Sequence, residues 1–216
     1  MGGDLGGSLK PETVQGLSLD LWHQRYRQQA RWTADVRHYL IKKASLRPGG
    51  RVLEVGVGTG AVLNAIAEEQ SIKPFGIDLN RSTLIYSKGI NPTFQCIQAD
   101  GNQLPLPAAE FNLTYCHYLL LWVDNPNQIL REMQRVTCPG GFVIALAEPD
   151  HDSRIDYPPP LNHLGKLQTE ALAEQGAETA LGRRLRAHFQ ETGFSDIETG
   201  ILGAQWTAAT FQPEET

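Results

Sequence analysis

Ten residues, Arg51-Val52-Leu53-Glu54-Val55-Gly56-Val57-Gly58-Thr59-Gly60, constrain the fold more than any other stretch of the chain. Val52 to Val55 is a run of strand formers with one acid, Glu54, inside it. Three glycines then alternate with Val57 and Thr59, and Ala61-Val62-Leu63-Asn64-Ala65-Ile66-Ala67 takes up helical spacing. The pattern predicts strand, tight turn, helix. Glycine lacks a Cβ and tolerates positive φ, so such a turn lets a ligand approach bare backbone. The helix that follows aims its free N–H groups and positive dipole end at the turn. A polar or anionic small molecule suits that position. The glycines read G-x-G-x-G, whereas a dinucleotide fingerprint reads G-x-G-x-x-G. Taken alone, they also fit a purely structural turn.

Two further acids stand where strands are expected to end. Pro74-Phe75-Gly76-Ile77-Asp78 reads as a second strand closing on Asp78, followed by Leu79. A carboxylate offers two acceptor oxygens, enough for the neighbouring hydroxyls of a ribose. In doubly wound sheets the ligand lies outside the carboxyl ends of the strands. Phe94-Gln95-Cys96-Ile97-Gln98-Ala99-Asp100-Gly101-Asn102 reads as a third strand running into an acid, and Leu104-Pro105-Leu106-Pro107 is too proline-rich for a helix. A fourth strand spans Phe111 to Tyr118, with Cys116 and His117 at its carboxyl end. Ile129 to Val136 has the period of an amphipathic helix, stopped by Pro139-Gly140-Gly141. Phe142-Val143-Ile144-Ala145-Leu146 has no alternation and predicts a buried fifth strand.

In this order, the segments resemble the class I S-adenosylmethionine (SAM)-dependent methyltransferases, in their small-molecule, UbiE-like branch. Residues 52–60 are close to that family's motif I, Asp78 stands at motif II, and Ala99-Asp100 followed by Leu104-Pro105-Leu106-Pro107 resembles motif III. Leu130-Arg131-Glu132-Met133, Arg135-Val136 and Pro139-Gly140-Gly141 continue the likeness, which covers residues 46–148. One departure is Asn112, where the family has Asp at the start of the fourth strand.

The resemblance implies an α/β, Rossmann-like, doubly wound and mostly parallel sheet with helices on both faces. It also implies SAM as cofactor and S-adenosylhomocysteine (SAH) as product. The cofactor would be held by Glu54, Gly56, Gly58, Gly60, Asp78, Leu79, Asp100, Gly101, Asn102, Cys116 and His117. Asp78 takes the ribose in this reading and Asp100 the adenine amine, with Gly101 and Asn102 closing the ring's edge. Transfer from a sulfonium needs alignment and exclusion of water more than a base. Where an acceptor needs one, the candidates are His117, Glu148, Asp150 and His151. No residue spacing argues for a metal.

The remaining stretches frame this core. Residues 1–19 open with Met1-Gly2-Gly3-Asp4-Leu5-Gly6-Gly7 and are expected to be loose. Residues 20–45 carry helical spacing and are expected to form one helical cover, with Tyr26 or Arg31 offered toward the cofactor's carboxylate by the family likeness. Residues 149–192 predict a stiff proline connector and two helices, the expected acceptor lid. Gly193-Phe194-Ser195-Asp196-Ile197 leads into an expected sixth strand through about Trp206, and the seventh of this fold is hard to find in residues 207–216. An open sheet edge there would need cover.

With 216 residues, one domain is expected. A formal charge of −5 and no basic block disfavour nucleic acid and anionic membrane partners. Cys96, Cys116 and Cys138 are too unpatterned for a disulfide scaffold and fit a reduced, cytoplasmic setting. The expected partner is a small-molecule acceptor, and a homodimer stays open. Two other readings share the pattern: a non-catalytic SAM-binding protein, and a NAD(P)-dependent oxidoreductase, which the G-x-G-x-G spacing and Asp100 disfavour.

Overall fold

The computed structural model describes residues 18–201. Strands β1 (Gly50–Val55), β2 (Ile72–Asp78), β3 (Gln95–Gln98), β4 (Phe111–His117) and β5 (Thr137–Leu146) form one parallel sheet in the order β3-β2-β1-β4-β5. The winding reverses beside β1. The first three strands step one way and the last two the other, so the connections leaving the carboxyl ends of β1 and β4 run to opposite faces, and such sheets bind ligands at that switch.

Among the described residues seven α-helices flank the sheet: α1 (Leu19–Trp32), α2 (Ala34–Lys43), α3 (Ala61–Glu69), α4 (Arg81–Ile90), α5 (Pro126–Val136), α6 (Leu161–Glu174) and α7 (Leu181–Glu191). Both sheet faces are covered, which is why the strands are rich in apolar residues on both sides. Leu53, Val55, Phe111, Ile129, Met133 and Leu181 pack together on the α5–α7 face. Val52, Leu63, Ile66, Leu84, Leu113 and Tyr115 pack on the opposite face with Ala30 of α1 and Ile41 of α2.

Local chemistry explains several boundaries. Asn125 caps α5, its Oδ1 accepting the Gln128 N–H at 3.1 Å, and Pro126 follows at the first helical turn, where a missing N–H costs nothing. Ile129, Leu130, Met133 and Val136 then repeat on one buried face. Asn112 accepts the Arg51 N–H at 2.9 Å and so ties the start of β4 to β1. The asparagine that replaces the family's aspartate thus still orders this end of the sheet.

The chain departs from expectation at three places. The single helix expected over residues 20–44 breaks at Thr33, whose hydroxyl bonds back to the Gln29 carbonyl at 3.1 Å and the Ala30 carbonyl at 3.4 Å. The fifth strand is longer than its apolar core and only half-buried, with Phe142 41% exposed. Among the described residues β5 pairs with β4 alone, across a bulge that takes up residues 138–141. Residues 193–201 contain no strand, and the rest of the expected sixth strand, like the seventh and residues 1–17, lies outside the described residues.

The glycine turn is built on the left-handed backbone the sequence implied, with φ of 77°, 51° and 76° at Gly56, Gly58 and Gly60. A Cβ on Gly60 would stand 2.4 Å from the buried Ser87 Oγ and 3.0 Å from Phe94. Gly60→Ala therefore combines left-handed strain with overpacking, and urea unfolding should show a loss of about 2–4 kcal/mol.

Candidate functional site

An open cleft lies across the carboxyl ends of β1, β2 and β3. Val55, Ile77, Ala99, Leu119 and Ile129 give it apolar walls, and Asp78, Asp100 and Asn102 give it polar groups. Gly56, Leu79 and Gly101 also line it. Six of the residues singled out in the sequence therefore share one cavity.

Asp78 holds the glycine turn in place. Its Oδ2 accepts the Gly58 N–H at 2.7 Å and its Oδ1 the Asn80 N–H at 2.8 Å. The turn is further docked on β2 through the Ile77 carbonyl, which accepts from Gly56 and Val57 at 2.8 and 2.9 Å. Burial raises the Asp78 pKa, against the pull of the amides. Asp100 is exposed, and its Oδ1 accepts from the backbone and side-chain nitrogens of Asn102 at 2.8 and 2.9 Å. Gln128 of α5 in turn donates to the Asn102 carbonyl at 3.0 Å, so α5 fixes the cleft's far edge.

The other sequence candidates lie elsewhere. Glu54 is 2% exposed and points to the α3 face, where it accepts from the Tyr115 hydroxyl at 2.8 Å and from the Leu63 N–H. Leu63 lies in the first turn of α3, which has no side-chain cap of its own at Gly60, so Glu54 supplies a cap from the strand. Burial pushes the Glu54 pKa up to about 8. Gly58 and Gly60 do not line the cleft; α1 covers this part of the turn, with the Tyr26 ring 3.7 Å from a Cβ built on Gly58 and His23 Nδ1 2.9 Å from Thr59 Oγ1. Tyr26 has its pKa raised by burial and by the charge on Asp78, whereas Arg31 is exposed.

Cys116 is fully buried, its thiol 3.8 Å from Glu148 Oε1 and its pKa pushed well up by burial. His117 ends β4 facing α1 and α2, with Nε2 3.1 Å from Thr33 Oγ1. Burial, then the Arg37 charge, lowers its pKa to about 3, so the ring is neutral. Glu148 is 8% exposed and accepts the N–H groups of Leu119, Leu120 and Leu121 at 2.8, 2.9 and 3.2 Å. It caps the short turn Leu120–Trp122, and burial raises its pKa to about 7. Asp150 pairs with Arg183 through two bonds of 2.6 and 2.7 Å, which hold its pKa below the usual carboxylate range. His151 is half-buried, and burial, then Arg154, lowers its pKa. These four acid–base candidates do not converge on the cleft.

Trp122, Val123, Asp124 and Asn125 also border the cleft. The sequence reading gave these four no site role. Their signal was the position of the segment directly after the fourth strand.

These buried groups set a pH dependence. Glu54 and Glu148 start from 4.5 in the unfolded chain and titrate near 8 and 7 when folded, so the folded state holds their protons more tightly. Their contribution is complete below pH 4.5 and is lost as pH rises through 7 and 8. Between pH 6.5 and 9 stability should fall by roughly 2–3 kcal/mol. His117 has the opposite sign. Its depressed pKa makes stability fall as pH drops below 6.5 toward 3. Glu54→Gln, whose amide oxygen still accepts from the Tyr115 hydroxyl, should remove most of the alkaline slope in urea titrations.

Residues 53–145 match the family described as methyltransferase domain. The ubiquinone/menaquinone biosynthesis C-methyltransferase UbiE of Ectopseudomonas mendocina is 32% identical over 120 residues, 51% of this chain and 46% of that protein. UbiE of Burkholderia mallei is 33% identical over 119 residues, 50% of this chain and 47% of that protein. The chain thus spans about half the length of the curated relatives it matches. Among solved structures, a SAM-dependent methyltransferase from Aquifex aeolicus superposes with a TM-score of 0.59 at 16% identity, covering 82% of this chain and 89% of that one. YcgJ from Bacillus subtilis gives 0.55 at 21% identity, covering 72% and 66%. These likenesses show the fold. The match to a methyltransferase domain spans residues 53–145, and the five-stranded parallel sheet of the described residues has the Rossmann-like fold of these neighbours.

Proposed function

We propose that the protein transfers a methyl group from SAM to a small-molecule acceptor. The observation that carries this reading is the single cleft that Gly56, Asp78 and Asp100 border, at the ends of three neighbouring strands. Its donor set suits an adenosyl group. Asp78 offers carboxylate oxygens to ribose hydroxyls, Asp100 has Oδ2 for an exocyclic amine, and Val55, Ile77, Ala99 and Ile129 give the ring apolar surfaces. When bound, SAM supplies a methyl group already activated on a sulfonium, which an O, N, S or C nucleophile takes by in-line displacement.

The chain's own part is to bind, align and exclude water. The walls from Leu119 to Asn125 close the adenosine half, and α1 covers the glycine turn. Residues 149–192 form the acceptor side in this proposal, tied down by the Asp150–Arg183 pair. Glu148, Asp150 and His117 are occupied by amides, by Arg183 and by Thr33, so a proton-accepting role, where an acceptor needs one, rests with the imidazole of His151.

The test is release of SAH from methyl-labelled SAM across a panel of phenols, amines, thiols and activated carbon acids. Acceptor-dependent label transfer with stoichiometric SAH is the expected result. Tight SAH binding with no transfer to any class would instead favour a non-catalytic SAM-binding protein.

A further inference from the structure

Residues 99–110 run from β3 to β4 with no helix or strand, and Pro105 and Pro107 bring no N–H groups. The backbone of such a loop needs partners from outside it. Helix α5 supplies them from three side chains. Gln128 Nε2 donates to the Asn102 carbonyl at 3.0 Å. Glu132 Oε2 accepts the Leu104 N–H at 2.7 Å. Arg135 donates Nη2 to the Leu104 carbonyl at 2.9 Å and Nη1 to the Leu106 carbonyl at 2.8 Å. Positions 128, 132 and 135 stack along one face of a helix, while Ile129, Leu130, Met133 and Val136 are buried on another.

Both ends of this brace are fixed. At the far end Arg135 also pairs with Glu132, through bonds of 2.8 and 2.7 Å, and holds its carboxyl below the usual range. At the near end Gly101 lies flush against α5. A Cβ there would stand 2.8 Å from Ile129 Cδ1 and 3.1 Å from Val55 Cγ1. Asn102, held by Gln128, gives its backbone and side-chain nitrogens to Asp100 Oδ1. That commits Oδ1, and the cofactor reading gives Oδ2 to the adenine amine.

Ile129 lines the cleft and Gln128 does not, so Gln128 acts through Asn102. Bracing matters because Asp100 is exposed. A carboxylate on a free loop would swing aside from a ring that offers it a carbonyl oxygen instead of an amine. A carboxylate held in place meets that oxygen and repels it.

We propose that Gln128 is a positioning residue for purine selection: through the Asn102 carbonyl it holds Asp100 at the cleft, so that the site takes a purine with an exocyclic amine and refuses its oxo counterpart. The Glu132–Arg135 pair anchors the rest of the loop. The ligand half of this proposal rests on the cofactor reading above, and the hold of Gln128 on the loop rests on the contacts of this chain.

Two measurements on the full chain test it. Gln128→Met keeps the side chain's length and removes the donor. Gln134→Met makes the same change at an exposed position of α5. In hydrogen exchange without ligand, the Asn102, Gln103 and Leu104 amides should exchange roughly fivefold faster in Gln128→Met, the size of one lost hydrogen bond, and at the parent rate in Gln134→Met. In calorimetry the parent should prefer SAH to S-inosylhomocysteine, which has a carbonyl oxygen in place of the amine, by about thirtyfold. Gln128→Met should weaken SAH about tenfold and S-inosylhomocysteine less than about twofold, and Gln134→Met should keep the parent's preference. Unchanged exchange at residues 102–104, equal weakening of both ligands, or the same effects in Gln134→Met would overturn the proposal. So would a parent that binds SAH without preferring it, a result that leaves the cofactor reading intact. If the parent binds neither ligand while Gln128→Met still loosens the loop, the cofactor reading fails and the brace stands.

Discussion

Replacing Asp78 with alanine should weaken SAH binding by more than a hundredfold. Two charge-assisted hydrogen bonds to ribose hydroxyls, at about 1.5–3 kcal/mol each, account for that loss. The structure adds a second reason. The same carboxylate accepts the Gly58 and Asn80 N–H groups, so alanine also loosens the turn, leaving it on β2 through the Ile77 carbonyl alone. Asp78→Asn separates the two effects. It retains one acceptor oxygen, which can hold the Gly58 amide, but lacks the second acceptor for the ribose. Titration calorimetry should therefore rank the parent above Asp78→Asn and Asp78→Asn above Asp78→Ala. Circular dichroism should show all three folded, because no core side chain is removed. Parent-like affinity in Asp78→Ala would place the ribose elsewhere.

Replacing Glu148 with alanine should cost about 3–5 kcal/mol of stability, the range for stripping partners from several buried amides. Leu119, Leu120 and Leu121 would all lose their acceptor in a region where Leu120 is fully buried. In thermal unfolding this is a fall on the order of 10 °C for a chain of this size. Glu148→Gln should cost less, since one oxygen still accepts from Leu119 and Leu120 while the new NH₂ faces the Leu121 amide. A Glu148→Ala protein as stable as the parent would show that water replaces the carboxylate. The turn this residue caps leads into the cleft wall at Trp122 and Val123, so SAH affinity should fall with stability.

The sheet and its cleft were legible in the sequence because each depends on local signals. Glycine alternation required positive φ and found it, and the acids at 78 and 100 followed strands whose ends faced one edge. What the sequence did not show depends on which way a side chain turns. Glu54 lies in the motif itself, yet strand alternation carries it to the α3 face, where it pairs with Tyr115 61 positions away. Glu148 follows a strand end as Asp78 does, but its oxygens turn inward to three amides. Cys116 and His117 share a strand end and point to opposite sides, one to Glu148 and the other to Thr33. The break at Thr33 was hidden because helical apolar spacing continues through it, and only the hydroxyl's bonds to Gln29 and Ala30 end the first helix.

The most direct measurement is thermal unfolding of the full chain with SAH, SAM, NAD and NADP added separately. At about a hundredfold over Kd a ligand adds roughly 2.7 kcal/mol, a rise of about 5–10 °C for this size. The cleft described above predicts that rise with SAH and SAM and none with NAD or NADP. A rise with NAD or NADP alone, or none with any of the four in a folded sample, would contradict it.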